Sequence, residues 1–109
     1  MTIRQISPRA VKALLDAGSP VLLLDVRQPD EYAICRLPGS VLIPLGDLST
    51  RHGELEIEPG TLVVVYCHHG VRSLRGAGYL EHVGIADVAS MSGGIEEWST
   101  AVDAAMPRY

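Results

Sequence analysis

The stretch LVVVYCHHGVRS, Leu62 to Ser73, restricts the fold of this chain more than any other. Val63, Val64, Val65 and Tyr66 form an apolar, β-branched run without polar alternation, the pattern of a buried strand. Helical composition resumes at Arg72, so Cys67, His68, His69, Gly70 and Val71 alone separate strand from helix. Strands buried on both faces belong to parallel sheets, whose crossovers return as helices. One of only two cysteines in the chain stands where this strand ends.

The rest of the chain repeats the unit. Ser7 and Pro8 open a helix as N-cap and first helical residue, with Ile6 and Val11 spaced for a hydrophobic staple. Val11, Leu14 and Leu15 mark its apolar face and Gly18 ends it. A strand over Val21 to Val26 runs into the turn Arg27, Gln28, Pro29, Asp30, followed by a short helix around Asp30 to Ile34. Pro38 and Gly39 precede a strand over Ser40 to Ile43. Asp47 is placed to cap a short helix through about Arg51, and Glu54 to Gly60 is an acidic loop before the strand Thr61 to Tyr66. The helix from Arg72 to about Val83 shows Leu74, Ala77, Gly78 and Leu80 as its apolar face. A last strand, Val88 to Met91, leads through Gly93 and Gly94 into a helix carrying Ile95, Trp98 and Val102. Strands and helices alternating in units this short predict an α/β fold: a small parallel β-sheet flanked by helices on both faces. At 109 residues the chain suits a single domain, 1–109.

Composition narrows the function classes. A net charge of -4 lacks the basic excess of an extended nucleic-acid surface. No segment approaches the roughly 18 apolar residues of a membrane span. The N-terminus has no continuous apolar core of a signal peptide, and two cysteines without an export signal suit a reducing cytoplasm.

A thiol in a loop that feeds a helix N-terminus meets unpaired backbone N–H groups, which favour thiolate over thiol. Gly70 permits a tight loop whose amides turn inward, and Arg72 adds a fixed charge at the rim, with Arg75 about one turn away. Such a cradle suits a thiolate, a persulfide or a bound oxyanion. The plainer alternative is that Cys67 is a small buried hydrophobe. Gly70 and Arg72 weigh against it, because neither suits a packed core.

Three blocks give the chain a resemblance. LLLDVRQPDEYAICRLPGSVLIPL, Leu22 to Leu45, is similar to the N-terminal signature of the rhodanese-like sulfurtransferase family. VVVYCHHGVRS matches that family's active-site loop, and SMSGGIEEW, Ser90 to Trp98, resembles its Gly-Gly and Trp ending. The resemblance implies a single-domain sulfurtransferase working by double displacement. Cys67 would take a sulfane sulfur from a small donor such as thiosulfate and pass it to a nucleophilic acceptor. It implies that the loop amides of His68, His69, Gly70, Val71, Arg72 and Ser73 hold the persulfide, with Arg72 helping to bind an anionic donor. It implies no metal and no organic cofactor. AICRLPG departs from the commoner Gly-His form. It resembles rhodanese domains fused to adenylating enzymes that activate sulfur carriers, which points to a protein sulfur donor or carrier as partner.

Other readings compete. Cell-cycle-type phosphatases and arsenate reductases place five residues between Cys and Arg; here four lie between Cys67 and Arg72, a shorter cradle that suits sulfur. A non-catalytic or sulfur-relay binding module is the alternative from a different class. Cys67, His68 and His69 make a poor metal site, since adjacent ligands rarely complete a tetrahedron. Either histidine would instead add positive charge if protonated. Asp25 and Arg27 read as solvated charges in a surface turn, or as a supporting pair in which Asp25 meets an arginine near the loop. Cys35 is either a resolving thiol or simply buried; a disulfide with Cys67 requires Cα atoms within about 7 Å.

Overall fold

The computed structural model describes residues 2–109. In chain order the elements are β1 (Gln5–Ile6), α1 (Pro8–Asp16), β2 (Val21–Asp25), α2 (Pro29–Ile34), β3 (Val41–Leu42), α3 (Leu48–Arg51), β4 (Leu62–Tyr66), α4 (Val71–His82), β5 (Val88–Met91) and α5 (Gly94–Ala101). The strands form one sheet in the order β1-β5-β4-β2-β3, and every pairing is parallel.

The apolar run that opened the sequence reading is the centre of this sheet. In β4 the odd residues Val63 and Val65 pack with Leu24, Val26 and Val88 beneath Leu48, Ala77 and Leu80. The even residues Val64 and Tyr66 pack with Leu23, Ala89 and Met91 beneath Val11, Ile95 and Trp98. Thus α3 and α4 cover one face and α1 and α5 the other. Each fully buried Val or Leu side chain stabilises the fold by roughly 1.5–3 kcal/mol relative to exposure.

Local signals set the boundaries of α1. Ser7 Oγ accepts the Ala10 N–H at 3.2 Å. At the other end the Gly18 N–H reaches the Leu15 carbonyl at 3.1 Å, and the Ser19 N–H reaches Leu14 at 3.0 Å.

Three expectations need correction and one strand is new. The two-residue β1 lay outside the sequence reading; it pairs with β5 as an edge strand too short to carry its own pattern. β3 is shorter than Ser40 to Ile43, because Ser40 turns back to the Leu37 carbonyl and Pro44, which has no N–H, follows at once. Asp47 makes no side-chain cap to α3. The buried face of α4 is Ser73, Gly76, Ala77 and Leu80, with Leu74 and Gly78 only half-buried. A Cβ at residue 76 would stand 3.2 Å from Val65 Cγ1, so the helix lies too close to the sheet for Leu there.

From β2 the chain moves outward to β3, then returns to place β4 on the other side of β2. The carboxyl ends of β2 and β4 therefore flank the switch point where open α/β sheets bind ligands. Cys67 follows β4 at that place.

Candidate active site

Cys67 is 1% exposed, and its sulfur lies at the start of α4. Of the loop amides from His68 to Ser73, those of Gly70 and Ser73 reach Sγ, at 3.1 and 3.4 Å. They are N-terminal helix donors without intrahelical partners. The thiol also lies 3.5 Å from Ser73 Oγ, which shares a 2.7 Å hydrogen bond with Ser90 Oγ. Gly70 caps α4 with φ +97°, a conformation that side-chain-bearing residues rarely adopt.

A second segment holds the loop in place. The Ile95 N–H donates to the Cys67 carbonyl at 2.9 Å and the Glu96 N–H to the His68 carbonyl at 3.1 Å. Close approach makes this possible: a Cβ on Gly94 would fall 2.3 Å from the His68 oxygen. The first turn of α5 thus spends its free donors on the backbone of the cysteine loop.

Asp25 and Arg27 are both 0% exposed, which removes the surface-turn reading. Asp25 pairs with Arg27 itself. Arg27 donates from Nη2 to Asp25 Oδ2 at 2.6 Å and from Nε to Oδ1 at 3.0 Å. Its Nη2 also reaches the Cys35 carbonyl at 2.6 Å, and Nη1 the Tyr109 hydroxyl at 2.8 Å. Burial alone would push the guanidinium's pKa down; the hydrogen bonds to Asp25 and Tyr109 outweigh it and hold it above the ordinary value.

Arg72 has a partner that lay beyond the sequence reading. Its Nη1 and Nη2 donate to Glu31 Oε1 and Oε2 at 2.7 and 2.9 Å, a bidentate pair joining α4 to α2. Glu31 also accepts the Gln28 N–H at 3.0 Å and the Tyr109 O–H at 2.8 Å. The Arg72 hydrogen bonds foremost, against the opposing effect of burial, hold the Glu31 carboxyl at a pKa of about 2.

The histidines stack rather than converge. His68 lies between His69 and Tyr109, with ring centroids 3.9 Å away on each side. Its Nε2 is buried without a hydrogen-bond partner, 3.7 Å from Glu96 Oε2. Burial, then the neighbouring His69 charge, lower the His68 pKa against the pull of Glu31 and Glu96. This direction works against the positive charge that His68 would add if protonated. Val71 is the first residue of α4 and 68% exposed beside the mouth.

Cys35 is a free thiol, 7% exposed, in the core cluster beneath α1 and α5. Cys67 belongs to the cluster on the other face. The sheet lies between the two clusters.

Fold and site together define a cysteine-centred α/β domain whose sulfur is held by the amides of one short loop. The model of the rhodanese-like domain matches residues 7–101, and the chain belongs to that family. It is 34% identical over 93% of its length to the thiosulfate sulfurtransferase GlpE of Pseudoalteromonas translucida, covering 93% of that protein. It is 32% identical over 95% of its length to the probable adenylyltransferase/sulfurtransferase MoeZ of Mycobacterium tuberculosis, but spans only 26% of that longer protein. The crystal structure of a thiosulfate sulfurtransferase from Pseudomonas aeruginosa superposes with a TM-score of 0.83 at 35% identity, over 91% of this chain and 19% of that one.

Sequence reasoning missed Ser90, Glu31 and Tyr109 as neighbours of the site. A small polar residue inside the apolar strand VASM was the available signal for Ser90. No local signal ties Tyr109 to the loop.

Proposed function

We propose that the chain is a sulfurtransferase in which Cys67 carries the transferred sulfur. The observation that supports it is the Cys67 sulfur within hydrogen-bond reach of the Gly70 and Ser73 amides at the start of α4. Donors so placed favour a negative charge on sulfur, and they are aimed before any substrate arrives.

In the first half-reaction the Cys67 thiolate attacks the sulfane sulfur of the donor. A new S–S bond forms, the donor's S–S bond breaks, and sulfite or a thiolate departs with the electron pair. In the second, a nucleophilic acceptor attacks the outer sulfur of the Cys67 persulfide, and the Cys67 thiolate leaves. The two displacements cancel, so no net redox partner or cofactor is needed. Gly70 and Ser73 hold the inner sulfur, and in this reading the remaining amides of His68, His69, Val71 and Arg72 serve the outer one. Ser73 and Ser90 supply a hydroxyl relay beside the thiol. Asp25 and Arg27 act as supporting structure.

The similarity to an adenylyltransferase/sulfurtransferase supports a protein sulfur donor or carrier as partner, beside a small molecule such as thiosulfate. A reducing compartment such as the cytoplasm would keep both thiols free. Intact mass tests the reading. Incubation with a sulfane-sulfur donor should add one sulfur atom to the wild type and none to Cys67→Ser, and the adduct should vanish on addition of cyanide. An adduct of equal yield on the serine variant would overturn it.

A further inference from the structure

Resting on the sulfur-transfer reading above, we infer that Glu31 is a specificity-determining residue that turns the site from dianionic donors such as thiosulfate toward hydropersulfides of organic thiols. It does so by compensating the charge of Arg72 and holding its Nη1–Nη2 edge.

The charged groups around the mouth form a closed series. Asp25 holds Arg27, Arg27 and Glu31 share the Tyr109 hydroxyl, and Glu31 holds Arg72. On the other side Arg108 Nε donates to Glu96 at 2.7 Å, and Glu96 Oε2 lies 3.7 Å from His68 Nε2. Each arginine in the series has a carboxylate partner, so none of the three offers an uncompensated charge to a small dianion. Glu31 is only 14% exposed and carries two further hydrogen bonds, from Gln28 and Tyr109, so the pair is held from several sides. For thiosulfate to use the Nη1–Nη2 edge of Arg72 it must displace a bidentate carboxylate already in place, and on any other edge it meets a charge already compensated. A hydropersulfide presents its reacting sulfur on an organic thiol, carries less charge there, and needs only the loop amides. Val71, exposed beside Arg72, offers that thiol's carbon frame an apolar neighbour.

The test compares kcat/KM for thiosulfate with kcat/KM for cysteine hydropersulfide, at several salt concentrations, in the wild type, Glu31→Gln, Glu31→Asp and the double variant Glu31→Gln/Arg72→Gln. In the wild type the hydropersulfide should be the better donor. Glu31→Gln should raise the thiosulfate-to-hydropersulfide ratio by about tenfold or more, through a lower KM for thiosulfate, because hydrogen bonds to a freed charge become available to the dianion. That gain should shrink as ionic strength rises. Adding Arg72→Gln should remove it, and Glu31→Asp, which keeps the charge, should stay near the wild-type ratio. A purely structural role for Glu31 would change both donors together and leave the ratio and its salt dependence alone. A persulfidated cysteine peptide run beside the free amino acid separates a protein source of the hydropersulfide from a small-molecule one. An unchanged ratio in a protein that still forms the Cys67 adduct overturns this inference alone. A wild type that accepts sulfur from no donor overturns the sulfurtransferase reading and the inference with it.

Discussion

Cys67 and Cys35 are nearly equally hidden, at 1% and 7% exposed, and both are free thiols. Their surroundings differ in kind. Cys67 presents its sulfur to two amides and a hydroxyl at the start of a helix. Cys35 belongs to the core cluster with Leu23, Leu37 and Tyr66, and its hydrogen bonds are through its backbone: the N–H donates to the Glu31 carbonyl and the carbonyl receives Arg27 Nη2. Burial therefore does not distinguish the two thiols; the groups around them do. The opposite sides of the sheet on which the two thiols sit also favour Cys35 as a packing residue over a resolving one.

The largest break in this contrast should come from the floor under the Cys67 loop. Gly94→Ala puts a methyl group against the His68 carbonyl, and the loop must shift away from the amides of α5. Sulfur transfer should fall by roughly 10²-fold or more, since misplacement of about 1 Å costs that much. Steady-state kinetics on a variant whose circular dichroism is unchanged decides it, and wild-type turnover would refute the positioning role.

A different effect, on stability rather than turnover, should follow on the Cys35 side. Asp25→Asn leaves the Arg27 guanidinium buried without its carboxylate, which costs about 3–5 kcal/mol. Chemical denaturation measures it; a loss below about 1 kcal/mol would mean that Tyr109 and the Cys35 carbonyl suffice to hold Arg27. Cys35→Ala should be the mildest change. Turnover should stay within a few-fold of wild type, equivalent to about 1 kcal/mol or less of barrier. Loss of turnover in the folded variant would make the two cysteines a functional pair after all.

The sequence made the sheet centre and the loop legible because both are written locally. β4 is a contiguous apolar run, and Cys67, Gly70 and Ser73 all follow closely on its end in sequence. What stayed hidden depends on contacts between distant segments. Arg72 reads as a free cation until α2 brings Glu31 to it, and Tyr109 meets Arg27 and Glu31 across most of the chain. Arg27, in a turn of polar residues, reads as solvated; only the fold shows that the carboxylate two residues back has gone inside with it. The buried face of α4 was misread for a related reason: periodicity marks apolar residues, but the closest approach to the sheet belongs to Gly76.

The hydrogen bonds from Ile95 and Glu96 to the Cys67 and His68 carbonyls have a consequence for anyone who would transplant this loop. A peptide group whose carbonyl is fixed on one side has its N–H fixed on the other, so the orientation of the His68 and His69 amides, at the start of the loop, is set from a segment far along the chain. Residues 67–73 moved alone onto another scaffold would carry the donors but not their orientation. The exchangeable module is the loop together with Gly93 to Glu96, and drift in either half is constrained by its counterpart.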